Sequence, residues 1–153
     1  MATLLIVPGF GGSGPLHWQS WIAQKYESAI WVNNLPLLEP KIHIWANTIC
    51  RAIDQIEGEI LILAHSFGCL ATSLAIARHP QRVAAAILVA PASPARFSEN
   101  GHILPEHDGT KTIKHLLPKH IWTHPVCKTF DINFEKSSLH PYIRPLIEGF
   151  LWP

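Results

Sequence analysis

Apolar residues fall into two patterns along this chain. The first is the short unbroken run, found at 4–7, 30–32, 60–64 and 83–89. A run of this length, bounded by glycine, proline or polar residues, predicts a strand buried on both faces, the kind a parallel sheet contains. The second pattern is helical. Ile42, Trp45, Ile49, Ile53 and Ile56 recur every three or four residues, which predicts an amphipathic helix over 42–57, closed by Gly58. Trp18, Trp21 and Ile22 on one face predict a helix over 16–26, and a helix rich in small residues over 68–78 stops at His79-Pro80. Pro36 and Pro40 bracket a loop. Strands alternating with helices in this order predict parallel pairing through right-handed crossovers, hence an α/β sheet with helices on both faces.

Beyond Ala90 the pattern weakens. Eight of the 13 prolines and six of the 10 histidines lie there. Residues 91–121 read as a long, lid-like loop, 126–130 as one weakly patterned strand, and 141–150 as a short helix with Pro145 in its first turns. Residues 1–90 are thus well specified and 91–153 form a weakly patterned tail. A length of 153 residues suits one domain and leaves no room for a second.

Composition narrows the function. Charged residues make up 15% and hydrophobic residues 48%. The charged share is well below the ~25% of an average soluble protein, so the chain can bury a substantial core. A net charge of +1 argues against nucleic acid or an anionic membrane as partner, since both call for a basic excess. No run approaches the ~18 apolar residues of a membrane span, and the N-terminus lacks the basic segment of a signal peptide. Cys50, Cys69 and Cys127 form no C-x-x-C pair and are odd in number, which points to a reducing compartment and a cytoplasmic location. His115, His120, His124 and Cys127 have spacings that invite a metal site, but Pro118 and Pro125 interrupt any helix that would align them, so no metal is expected.

Ala64-His65-Ser66-Phe67-Gly68 lies between the clearest strand and the following helix. It has the small-x-Ser-x-Gly pattern of a nucleophile elbow. A serine is presented to substrate only when the strand-to-helix turn is sharp enough to strain its backbone, and the residues two before and two after must then be small. The helix behind the serine aims its amide dipole at a developing oxyanion. The alternative is that Ser66 merely caps the helix. Pro8-Gly9-Phe10-Gly11-Gly12 supplies a glycine-rich loop after the first strand, so the N–H groups of Phe67 and Phe10 are the candidate oxyanion-hole donors. Read as a phosphate loop, the same segment fits poorly, because its glycines miss the G-x-G-x-x-G spacing. His65 directly precedes Ser66 and points another way from the tight turn, so it is expected to pack or hydrogen-bond at the strand end.

Pro8-Gly9-Phe10-Gly11-Gly12-Ser13, His17-Trp18-Gln19-Ser20-Trp21, Ala64-His65-Ser66-Phe67-Gly68-Cys69 and Leu88-Val89-Ala90-Pro91-Ala92, in this order, resemble the small serine-hydrolase family of the α/β-hydrolase superfamily. This is the family of the retinoblastoma-binding serine hydrolase and its compact bacterial relatives, and the resemblance covers residues 4–105. It implies an α/β-hydrolase-type sheet, shortened at its C-terminus, and a Ser-Asp-His triad. Hydrolysis of small esters or related acyl substrates, without a cofactor, is implied with it. His17 and Trp18 are then packing or pocket-wall residues. By the same resemblance Asp131, in Thr129-Phe130-Asp131-Ile132-Asn133-Phe134-Glu135, stands in the place of the acid; Asp108, the other aspartate after Ser66, lies in the lid-like loop and is expected to be solvated. The base is less settled. His140 is the one histidine after Asp131, nine residues on, without the Gly-His pair of the family. His102 and His107 in the loop region are alternatives, and so is the absence of the element that carries the base. In that last case the chain is a catalytically inactive hydrolase fold that binds a partner. A shortened tail also leaves an open sheet edge, with room for a homodimer in which a second copy covers it and supplies a histidine.

Overall fold

The computed structural model describes residues 2–105 and 112–118, the backbone of 127–130, and positions 145 and 148. The elements are β1 (Thr3–Val7), α1 (Trp18–Lys25), β2 (Ala29–Trp31), α2 (Ile42–Gln55), β3 (Ile60–His65), α3 (Phe67–Arg78), β4 (Ala85–Val89) and β5 (Cys127–Phe130). The sheet has the order β2-β1-β3-β4-β5 and every pair is parallel. Strands that carry apolar side chains on both faces need a layer on each side, and both layers are present. Leu5, Val7, Ile62, Ala64 and Leu88 pack under α2 and α3, whereas Leu4, Ile6, Leu61, Leu63 and Val89 meet Trp18, Ile22 and Tyr26 on the α1 side. The predicted α/β sheet with helices on both faces is therefore the observed one.

The apolar stripe of α2 is buried as its spacing requires, with Ile42, Trp45, Ile49 and Ile53 fully covered. The Trp45 indole N–H donates to the carbonyls of Glu39 (3.0 Å) and Pro36 (3.3 Å), which seats the loop before the helix. Some predicted details differ. The helix ends at Gln55, and Gly58, at φ +81, makes the turn into β3 instead of closing α2. In α1 the face turned to the sheet is Trp18, Gln19 and Ile22, while Trp21 is 38% exposed. Hydropathy favours Trp21 for the core over a glutamine, but the Gln19 amide finds hydrogen-bond partners there, which removes the penalty of burying it.

The largest difference lies after β4. The described part of the segment read as a lid-like loop holds two short 3-10 helices, Pro94–Arg96 and Ile113–Leu116, tied by the bridges Phe97 to Ile103 and Ser98 to Thr112. Phe97, Ile113 and Leu117 are buried in the same core as α2 and α3. This stretch is core covering, anchored by Phe97 and, sixteen residues on, by the pair Ile113 and Leu117, in turns too short to show a sustained pattern. Among the described residues, no helix is long and apolar enough to cross a membrane.

Candidate active site

β3 passes into α3 through Ser66 alone, at φ +52 and ψ −121. A non-glycine residue in such a conformation costs of order 1–3 kcal/mol and persists only where its surroundings hold it. Three hydrogen bonds do so: the Ser66 N–H donates to Val89 O (3.1 Å), and Ser66 O accepts from Cys69 N–H (3.0 Å) and Ala92 N–H (3.2 Å). The hydroxyl makes no capping bond to the helix, so the helix-cap alternative is not the arrangement observed. Ala90, at the end of the neighbouring β4, also has positive φ, +45. The sequence carried no sign of this second strained turn beside Ser66.

Of the small residues expected around the serine, Gly68 is required by contact. A Cβ on Gly68 would lie 2.2 Å from Pro8 O and 3.0 Å from Val7 Cγ1. The close approach is thus between α3 and the end of β1, the strand next to β3, and Ala64 is fully buried beneath it. The glycine loop closes in from the same direction. A Cβ on Gly9 would lie 3.1 Å from Ser66 Cβ. The loop folds as a turn in which Gly12 N–H donates to Gly9 O (3.0 Å), with Gly11 third in the turn at φ +82, a conformation glycine adopts without strain. Gly11 N–H is bound to Leu37 O at 2.8 Å, fastening the loop to the segment after β2. Among the described residues neither Phe10 N–H nor Phe67 N–H has an acceptor. The Phe10 side chain is 39% exposed, whereas the Phe67 ring is buried against Trp45 (ring centroids 5.1 Å) and Phe97 (4.7 Å). Beside the loop lies a cavity of about 270 Å³ lined in part by Pro8, Gly12, Val32, Leu35 and Leu37.

His65 packs, as expected. Its ring lies 5.0 Å from that of His17 and 5.7 Å, edge-on, from that of Trp18. Its Nδ1 is buried, with no hydrogen-bond partner among the described residues. Burial, with His17 beside it, pushes the imidazole down from 6.5 to about 4, so it is neutral at physiological pH. Cys69 is fully buried with its thiol 3.4 Å from Val89 O, and burial raises its pKa far above the usual range, leaving an inert packing group. Cys50 and Cys69 are both free.

The other candidates are spread more widely. His102 is exposed in a turn where its N–H donates to Ser98 Oγ (2.9 Å) and its carbonyl accepts from Ser98 N–H (2.9 Å). His115 contacts Glu99 Oε1 (3.1 Å) and Thr112 O (2.8 Å). Asp131, His140, His107 and Asp108 lie outside the described residues, as do His120 and His124. The strand before Asp131 ends at Phe130, in register with Val89, whose carbonyl holds Ser66. Gln19 had no role in the sequence reading beyond its place in a motif. It is fully buried and hydrogen-bonded to both β1 and β3. A glutamine on the apolar face of a helix is the signal that would have found it.

Comparison with known proteins agrees with this geometry. No curated protein matches the chain. Among solved structures it is similar to a YdeN-like hydrolase of Pectobacterium atrosepticum, with 27% identity and a TM-score of 0.60 over 68% of this chain and 56% of that one. It also aligns, at 23% identity and a TM-score of 0.48, with a structure from a study of carboxylesterases of the thaumarchaeon Nitrososphaera gargenis, over 64% of this chain and 40% of that one. The chain therefore spans about half the length of the solved structures it matches. The sheet is of the α/β-hydrolase type. A family model described as serine hydrolase matches residues 4–121, most of the chain, and the chain belongs to that family.

Proposed function

We propose that this chain hydrolyses small carboxylic esters or related acyl substrates with Ser66 as nucleophile. The turn at Ser66 is then a nucleophile elbow. Ser66 Oγ attacks the carbonyl carbon while a histidine takes its proton, and the N–H groups of Phe10 and Phe67 receive the oxyanion. The alcohol leaves with that proton, and water hydrolyses the acyl-serine. Asp131 orients the base, and His140 is assigned as the base. Because His140 lacks the Gly-His context of the family, the reading carries slow acylation with it. No cofactor takes part in the scheme.

One observation carries the proposal: an uncapped serine hydroxyl at positive φ between β3 and α3, with a glycine loop against it. Turnover of p-nitrophenyl acetate and butyrate tests the reading. The wild-type protein is expected to exceed the buffer rate, and Ser66→Ala to return to it. Equal rates for the two proteins would refute the esterase and leave a binding protein on a hydrolase fold.

A further inference from the structure

Gln19 is the one fully buried polar side chain on the sheet-facing side of α1, between Trp18 and Ile22. A primary amide in that place is costly unless its donors and acceptor are matched. Its Nε2 donates to Val7 O at 2.9 Å and to Leu63 O at 3.3 Å, and its Oε1 accepts from Ser13 Oγ at 2.7 Å. Val7 is the last residue of β1 and leads into the glycine loop. Leu63 lies in β3, three residues before Ser66. Ser13 is at the far end of the loop. One side chain thus ties together the strand that enters the loop, the strand that delivers Ser66, and the loop's exit. Ser20 Oγ, donating to Gly14 O at 2.8 Å, adds a second tie from the same helix.

We infer that Gln19 is a positioning residue, which through Ser13 holds the Gly9–Gly12 turn, and with it the Phe10 N–H, against the Ser66 turn. The inference rests on the reading of Ser66 as nucleophile and Phe10 as oxyanion donor. The chemistry follows from geometry. An oxyanion donor works only if it is held in place before charge develops. The Phe10 N–H lies on an exposed turn, whose other restraints are the Gly12-to-Gly9 bond and the Gly11-to-Leu37 bond. Releasing Ser13 removes one of the two side-chain ties between α1 and the loop's exit, the Ser20 bond to Gly14 remaining, and leaves α1, the sheet and Ser66 as they are.

Two variants and two readouts test this. Ser13→Ala removes only the bond to Gln19 Oε1, at a part-exposed position where folding is safe; Gln19→Met removes all three bonds. Amide hydrogen exchange over 9–14 is expected to quicken in both, with α3 protection unchanged. The rate of Ser66 modification by a fluorophosphonate is expected to fall about tenfold or more, the scale set by misplacing a reacting geometry. The loss should appear in the maximal labelling rate, with the half-saturating reagent concentration unchanged. Unchanged loop exchange, or quickened exchange with a wild-type labelling rate, would overturn the assignment. If the wild-type protein itself is not labelled, the nucleophile reading fails, and the exchange measurement still decides whether Gln19 holds the loop.

Discussion

Gly68 shows what the Ser66 turn demands of a single residue. Its α-carbon faces a backbone carbonyl, and a methyl group 2.2 Å from Pro8 O cannot be relieved by rotating a side chain. Gly68→Ala is therefore expected to lower stability by at least about 1–3 kcal/mol, the usual cost of overpacking, read from urea denaturation. A midpoint within error of wild type would mean that α3 and β1 are not this close. Residues of this kind were legible in the sequence because the chemistry requires them: a serine with small neighbours between a strand and a helix, and glycines in a loop. Gln19 and Ala90 were not. The first looks solvent-facing by composition, and the second is strained by a turn that alanine does not announce.

At the level of elements, the strands and helices up to β4 could be read because each buries apolar groups with a fixed period. A parallel strand is covered on both faces and reads as a run; α2 shows one face and reads as a stripe. Where α1 meets the end of β3, however, polar rings do the packing, with His17 and Trp18 against His65. This junction makes stability pH-dependent. The unfolded His65 titrates near 6.5 and the folded one near 4. Between those values the unfolded chain holds the extra proton, so stability rises with pH. The contribution is complete above about pH 6.5 and is lost as pH falls towards 4, by at most about 3 kcal/mol. His65→Asn should flatten this part of the stability curve relative to wild type, as followed by denaturation at pH 7, 6, 5 and 4. Parallel curves for the two proteins would show that His65 is not held neutral.

Across the whole molecule, the segment after β4 carries the main lesson about what a sequence hides. Phe97, Ile113 and Leu117 complete the core over α2 and α3, yet they sit in or beside 3-10 helices of three and four residues, too short to sustain a period. The proposed site depends on this covering, since the Phe97 ring backs Phe67 at the first residue of α3. Phe97→Ala is expected to cost about 3–5 kcal/mol, as for a buried aromatic in a packed core. A loss below about 1 kcal/mol would be the behaviour of a loose lid and would contradict the packing described.

The proposed hydrolysis depends most on Ser66 being a reactive nucleophile at that turn. Its most direct test is mass spectrometry of the intact protein after exposure to a fluorophosphonate, followed by peptide mapping. A single adduct is expected, on Ser66 and absent from Ser66→Ala. An unmodified protein, or an adduct that maps elsewhere and persists in Ser66→Ala, would contradict it.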